Sequence, residues 1–319
     1  MKRLRTGGNK TAIGRYFLSA AVLLCVGLTV FFTCFREKDG ENPRELSDSR
    51  CTIVRESLAG REEIPLEEYL IGALAVSVPD DYAPEACKAQ AVVLRSNVWR
   101  LMQECGSSRI RYEELHQESL MMRELYQKWG EDFAENYEKF KKAVSDTKGQ
   151  SVVYEGIAVA LPFFPVSAGA TRNGADVLQT GNCPYLRPVP CEEDRYAAEY
   201  EQEICIREKE MNRALQELFG AESEVYWKDV TFARDDGGYV TEVIWNDARV
   251  SGEAFREALS LASACFTITE QEGRLYIVTK GVGHGLGMSL YCAGKMAENG
   301  TDYREIIRYF FPDCEIIKN

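Results

Sequence analysis

The sequence predicts an α+β fold, helix-rich first and strand-rich later, carried behind one N-terminal membrane anchor. Three observations predict it. Apolar residues recur at helical spacing between Leu66 and Leu101. From Ser151 onward, short apolar runs alternate with turns rich in Gly and Asp. The chain has 319 residues, 45% of them hydrophobic, enough to build a core for one large domain or two small ones.

Residues 16–35 (YFLSAAVLLCVGLTVFFTCF) carry no charge. At about 1.5 Å rise per residue, a helix of that length crosses a bilayer core of about 30 Å. Lys2, Arg3, Arg5, Lys10 and Arg15 precede it without an acid. The positive-inside rule therefore keeps residues 1–15 in the cytoplasm and puts the chain beyond Phe35 outside, making a single-pass protein of the cell membrane. No small-x-small cleavage site follows the apolar run, and Phe31, Phe32 and Thr33 suit lipoprotein processing poorly, so an uncleaved anchor is expected. Residues 36–50 are charged and nearly free of apolar side chains, as a linker is. The external domain is expected over 51–319, with a helical insertion at about 103–148.

Within that domain, Leu66, Tyr69, Leu70, Ala73 and Leu74 form the stripe of an amphipathic helix. Val78-Pro79-Asp80-Asp81 ends it, with the two acids read as turn and cap residues. Pro84 opens a second helix at the first-turn position where proline is tolerated. Cys87, Ala91, Leu94, Val98 and Leu101 make its buried stripe, and Lys88 and Arg95 share another face. Residues 117–145 are charged and helical in period, as a surface insertion would be. Ser151–Pro165 reads as a hairpin about Glu155-Gly156. A second hairpin turns at Asp235–Gly238, with Tyr239–Trp245 as its returning strand.

The net charge is −12; setting aside the six positive charges of residues 1–36, the remainder carries −12 − 6 = −18. Such an acidic domain argues against nucleic acid as a partner and against charge-driven adhesion to anionic lipid. Of eleven cysteines, nine (Cys51, Cys87, Cys105, Cys183, Cys191, Cys205, Cys265, Cys292 and Cys314) fall in the external part. Their odd number and the lack of tight CxxC spacing fit reduced thiols as well as disulfides, and sequence does not give connectivity.

Gly281, Gly283, Gly285 and Gly287 alternate with Val282, His284, Leu286 and Met288. If the stretch is extended, one face is bare backbone, open to close approach by a ligand or another chain. It has neither the Lys-Ser/Thr of a phosphate-binding loop nor the spacing of a dinucleotide-binding loop. His284, one of two histidines in the chain, is followed by Ser289 and Tyr291.

The run GHGLGMS, followed by Tyr291, Ala293, Met296-Ala297, Tyr303, Glu305-Ile306 and Tyr309, resembles the end of the stage II sporulation protein D family and its amidase-enhancer relatives. Leu66-Glu67-Glu68-Tyr69, Gly72, Pro79, Glu85-Ala86, Lys88-Ala89-Gln90-Ala91 and Arg95 resemble its opening motif. Between them, Ser167–Val177 and Pro184–Val189 resemble its small-residue strand end and its Pro-Tyr-Leu segment. The resemblance covers most of 51–318 in order.

It implies peptidoglycan remodelling in sporulation, at the septal wall or in engulfment, by a lytic transglycosylase acting on denuded glycan strands. That reaction needs one carboxylic acid to protonate the leaving oxygen and a base to take a hydroxyl proton as the anhydro ring closes; one carboxyl of raised pKa can serve both steps. The family's catalytic glutamate falls at Ser77 here, within Ala75-Val76-Ser77-Val78-Pro79. A serine hydroxyl is far too weak an acid to replace it. Asp80 and Asp81 lie beyond a proline on shorter stems. Ser77 as a nucleophile with His284 as base lacks both the nucleophile elbow and a third member. Leu290 and Phe163-Phe164-Pro165 stand where relatives carry hydrogen-bonding side chains.

The resemblance places Lys88, Gln90, Arg95, Ser167, Thr171, Tyr185, His284, Ser289 and Tyr291 at a glycan-binding cleft. Lys88 and Arg95 would face carboxylates, and Tyr185 or Tyr291 a sugar ring. No cofactor is expected. Some relatives bind zinc, but Cys105 and His116 are too few for its usual four ligands. Two readings stand: a wall enzyme of reduced activity, and a non-catalytic glycan-binding scaffold that recruits other sporulation wall hydrolases.

Overall fold

A computed structural model describes residues 51–57, 60–178 and 183–318. The expected tail (1–15), anchor (16–35) and linker (36–50) lie outside the described residues. Among the described residues, no helix is long and apolar enough to cross a membrane.

The first elements are two strands that the helical stripe did not announce. β1 (Thr52–Ser57) pairs antiparallel with β2 (Gly60–Pro65) and parallel with β3 (Arg109–Arg111). α1 (Leu66–Ser77) follows Pro65 directly, with Glu67 and Glu68 in its first turn, where carboxylates complement the helix dipole. It is not striped but buried on nearly every side from Leu66 to Ala75. α2 (Pro84–Cys105) has its proline at the first turn and stops at Gly106, which takes φ 59° as a left-handed cap.

The charged insertion forms α3 (Met122–Trp129) and α4 (Phe133–Asp146). It is more than a surface addition. Leu125, Trp129, Phe140, Ala143 and Val144 join the core around α1 and α2. The approach to α1 is close enough that a Cβ on Gly72 would lie 2.2 Å from Leu120 O. The Ser119 hydroxyl donates to Tyr69 O (2.8 Å), and the Tyr69 hydroxyl to Gln117 O (3.0 Å).

β4 (Gln150–Tyr154) turns into β5 (Ile157–Ala158) through Glu155 and Gly156, at φ 49° and 77°. Two successive positive φ values are what a tight hairpin turn requires. β6 (Phe163–Phe164) and α5 (Gly174–Leu178) precede a short 3₁₀ turn at Glu192–Tyr196. β7 (Glu201–Arg207) and α6 (Glu208–Phe219) then lead to the second hairpin, β8 (Val230–Arg234) and β9 (Val240–Trp245), which turns where the sequence places it. β10 (Ala248–Ser251) completes a sheet of order β10-β9-β8, and α7 (Gly252–Ala258) follows. β11 (Phe266–Gln271) and β12 (Arg274–Lys280) make a sheet of order β11-β12-β7. A second core fills the space among α6, α7 and these strands. After β13 (Met288–Ser289), parallel to β6, come α8 (Leu290–Glu298), α9 (Tyr303–Phe310) and β14 (Cys314–Lys318), the last antiparallel to β4. The expected α+β class holds.

Candidate functional site

The two motif-bearing segments, some 200 residues apart in the chain, meet in space. α2 packs on α8 and α9. The Tyr82 ring sits against Gly294, where an added Cβ would lie 2.8 Å from a ring carbon. Glu85 Oε2 accepts from the Tyr303 backbone N–H at 3.1 Å.

Ser77 ends α1, half-buried. Its hydroxyl donates back into its own helix, to Ala73 O (2.9 Å) and Leu74 O (3.4 Å). Two insertion lysines dress this helix end. Lys128 Nζ donates to Ala75 O (2.6 Å) and pairs with Asp80 (3.3 Å), while Lys139 Nζ donates to Asp80 O. Cations suit the negative end of a helix dipole. Asp80 therefore answers a lysine rather than capping α2, whose N-cap is Ala83.

The glycine run is not an extended strand. Gly281, Gly283, Gly285 and Gly287 all have positive φ, at 76°, 101°, 79° and 75°. The reason is local crowding by the chain itself. A Cβ would lie 2.7 Å from Val166 O at Gly281 and 2.1 Å from Pro162 O at Gly287. Backbone bonds fix the contact: Val282 N–H to Val166 O (2.7 Å), Arg172 N–H to Gly285 O (2.7 Å) and Met288 N–H to Pro162 O (3.0 Å). The side the glycines leave bare is thus covered by residues 162–172, not left for a ligand.

His284, within this run, has both sides of its ring engaged. Nδ1 accepts from the Leu286 N–H (3.0 Å), the ring bonds the Phe163 backbone, and its centroid is 5.5 Å from that of Phe164. Burial, then the Arg256 and Arg172 guanidinium groups, push its pKa down to about 4. With Ser77 bonded to its own helix and His284 bonded here, neither is arranged as half of a nucleophile–base pair. The folded protein keeps this imidazole neutral where the unfolded chain takes a proton near 6.5. Its stabilising contribution is complete above the unfolded pKa and is lost as pH falls from about 6.5 towards 4. Urea midpoints measured from pH 7.5 to 4.5 should therefore fall less steeply in His284→Asn than in the wild type; equal slopes would refute the assignment.

Sequence reasoning missed the residue at the centre of the site. Asp194, fully buried in the 3₁₀ turn, accepts from Ser167 N–H (2.6 Å) and the Ser289 hydroxyl (2.7 Å) through Oδ2. Ser289 in turn accepts from Cys292 N–H (3.4 Å) as the N-cap of α8. Burial raises the Asp194 pKa, against the lowering effect of the hydrogen bonds from Ser167 and Ser289. Among the described residues, its buried Oδ1 has no hydrogen-bond partner. Nothing in Glu192-Glu193-Asp194 marks which acid turns inward. Ser167 and Ser289, expected at a sugar cleft, are instead fully buried partners of this carboxylate.

Other expected ligands are committed elsewhere. Arg95 is fully buried; it pairs with Glu67 (3.0 Å) and donates to Val144 O and Thr147 O (3.0 Å each), closing the end of α4. Its guanidinium is therefore structural, not a cleft cation, because both its charge and its donors are used inside the protein. Lys88 pairs with Glu85 (2.7 Å) and Asp146 (3.5 Å). Thr171 donates to Arg187 O (3.1 Å) and accepts from Val189 N–H (2.9 Å). Tyr185 is buried against Tyr154, ring centroids 5.4 Å apart, so it offers no face to a sugar. Gln90 is fully buried, and among the described residues neither of its amide atoms has a hydrogen-bond partner.

What stays accessible is aromatic. Tyr291 is half-buried, with Lys295 Nζ 5.3 Å above its ring. Tyr82, also half-buried, sits close enough to Asp194, Asp81 and Tyr291 that they add to the burial which raises its hydroxyl pKa. Cys105 and His116 are both exposed. Among the described residues, no group of three or more His, Cys, Asp or Glu side chains is arranged to hold a metal ion.

Fold and site together define an α+β protein whose N-terminal helix pair and C-terminal glycine-rich segment close on one buried carboxylate, with two tyrosines at its edge. The model of the family described as "Stage II sporulation protein" matches residues 55–154, from β1 through β4. Stage II sporulation protein D of Bacillus amyloliquefaciens is 34% identical over 288 residues, covering 88% of this chain and 83% of that protein. Its Bacillus subtilis (strain 168) counterpart is 31% identical over 270 residues, covering 83% and 78%. The chain belongs to the stage II sporulation protein D family.

Proposed function

We propose that this protein serves sporulation as a membrane-anchored, extracytoplasmic member of its family that holds denuded peptidoglycan strands at the septal wall, with lytic transglycosylase chemistry lost at Ser77. The observation that carries this reading is the end of α1. The residue at the family's acid position is a hydroxyl that donates to Ala73 O at 2.9 Å, and nearby Asp80 is paired with Lys128 at 3.3 Å. Asp194 is no substitute, since it has no exposed surface from which to reach a glycosidic oxygen. Tyr82 and Tyr291 supply the accessible aromatic faces, and residues 16–35 supply the anchor. Recruitment of other wall hydrolases follows as the use of a bound but uncut strand.

The test is to incubate the full chain in detergent with denuded glycan strands, then measure co-sedimentation and analyse the strands by mass spectrometry for anhydro ends. Binding without new anhydro ends is the expected result, and Tyr291→Ala should weaken binding about tenfold, the loss of one aromatic contact. Anhydro ends made by the wild type would overturn the non-catalytic reading. Failure to retain strands would overturn the binding reading.

A further inference from the structure

Cys191 and Cys292 are about a hundred residues apart in the chain, yet their thiols meet. Cys191 directly precedes the 3₁₀ turn that carries Asp194, and Cys292 lies in the first turn of α8. Both are buried free thiols, at 1% and 6% exposure; Cys191 Sγ donates to Val189 O (3.7 Å), and the Cys292 side chain lies close enough to act on the Cys191 thiol. The surrounding contacts hold both segments in place. Cys191 N–H donates to Gly169 O (2.8 Å), Asp194 N–H to Cys191 O (3.1 Å), and Cys292 N–H to Ser289 Oγ (3.4 Å), while Ser289 donates to Asp194 (2.7 Å). The Tyr309 hydroxyl, donating to Pro190 O, brings α9 against the same place, close enough to both sulfurs for them to add to the burial that raises its pKa.

We infer that Cys191 and Cys292 form a disulfide that staples the Asp194 turn to the start of α8. This inference does not depend on glycan binding. Two juxtaposed thiols need little backbone movement to reach bonding geometry. The reaction couples both thiols to a low-molecular-weight disulfide. One Cys thiolate attacks the oxidant, forming a mixed disulfide and releasing one small thiol. The other Cys thiolate then displaces the second small thiol. The protein loses two protons and two electrons, and the oxidant is reduced to two thiols. The neighbouring Cys292 thiol and then burial raise the Cys191 pKa, which keeps the folded, reduced pair slow to react. The bond therefore forms as the chain folds, before the pair is covered.

The experiment takes the full chain in detergent, reduced and denatured, and refolds it with a mixture of oxidised and reduced glutathione. Remaining thiols are then alkylated and the digest is read by mass spectrometry. A peptide joining Cys191 to Cys292 is expected. The refolded protein should melt about 5 °C or more above its reduced form, a difference absent from Cys191→Ser and Cys292→Ser. Alkylation of both residues as free thiols, or linkage of either to another cysteine, overturns the inference. So would the same melting difference persisting in both serine variants.

Discussion

Ser77→Glu is expected to create anhydro-end formation on denuded strands where the wild type shows none, with a rise of about 10²–10⁴-fold over background, the usual contribution of a positioned acid. The end of α1 suits a proton-donating carboxyl. The negative pole of the helix dipole disfavours the ionised form, so a glutamate there keeps its proton to higher pH. Lys128 works against this. Its ammonium, 2.6 Å from Ala75 O and two residues from position 77, favours the carboxylate and lowers the pKa. The double variant Ser77→Glu/Lys128→Met should accordingly be more active than Ser77→Glu alone, with its optimum at higher pH. Mass spectrometry of the reaction products across pH 5–8 checks both statements. If both variants bind strands yet produce no anhydro ends, Ser77 is not the sole missing part, and Leu290 and Phe163 become the next positions to restore.

The elements that local rules control were legible in the sequence. Pro84 fixes the start of α2, Glu155-Gly156 makes the first hairpin turn, and Asp235–Gly238 the second, because each acts through its own backbone preference. The direction in which a polar side chain faces was not. Arg95 follows the helical period as a face-sharing partner of Lys88, yet it is fully buried because α4 lies across it, and nothing within α2 encodes that neighbour. The charged insertion hid its apolar stripe for a similar reason: Leu125, Trp129, Phe140 and Val144 are split between two helices. The alternating glycines fit an extended strand by spacing alone. Their positive φ values come from crowding by Pro162, Phe164, Val166 and Arg172, which are distant in the chain. Asp194 was invisible because its burial depends on Ser167 and Ser289, from two other segments.

Arg172→Met should cost about 3–5 kcal/mol of folding stability, the usual result of removing one partner from a buried ion pair. Arg172 side-chain exposure is 2%, and its Nε donates to Asp235 at 2.7 Å, while Nη1 reaches Glu253 at 3.1 Å and His284 O at 3.2 Å. The guanidinium also lies 4.6 Å from the Tyr239 ring centroid. One side chain thus joins the glycine segment, the turn of the second hairpin and α7. The two acids are not equally exposed to its loss. Glu253 keeps a second cation in Arg256 at 2.7 Å, whereas Asp235, at 4% side-chain exposure, retains among the described residues only the Tyr239 N–H as a donor at 2.9 Å. Most of the cost should therefore be the unpaired Asp235 charge, and Arg172→Met/Asp235→Asn should recover about half of it. Urea midpoints at constant m measure both variants. A single-variant cost below about 1 kcal/mol, or a double variant no more stable than the single, would show that the buried pair does not hold the glycine segment in place.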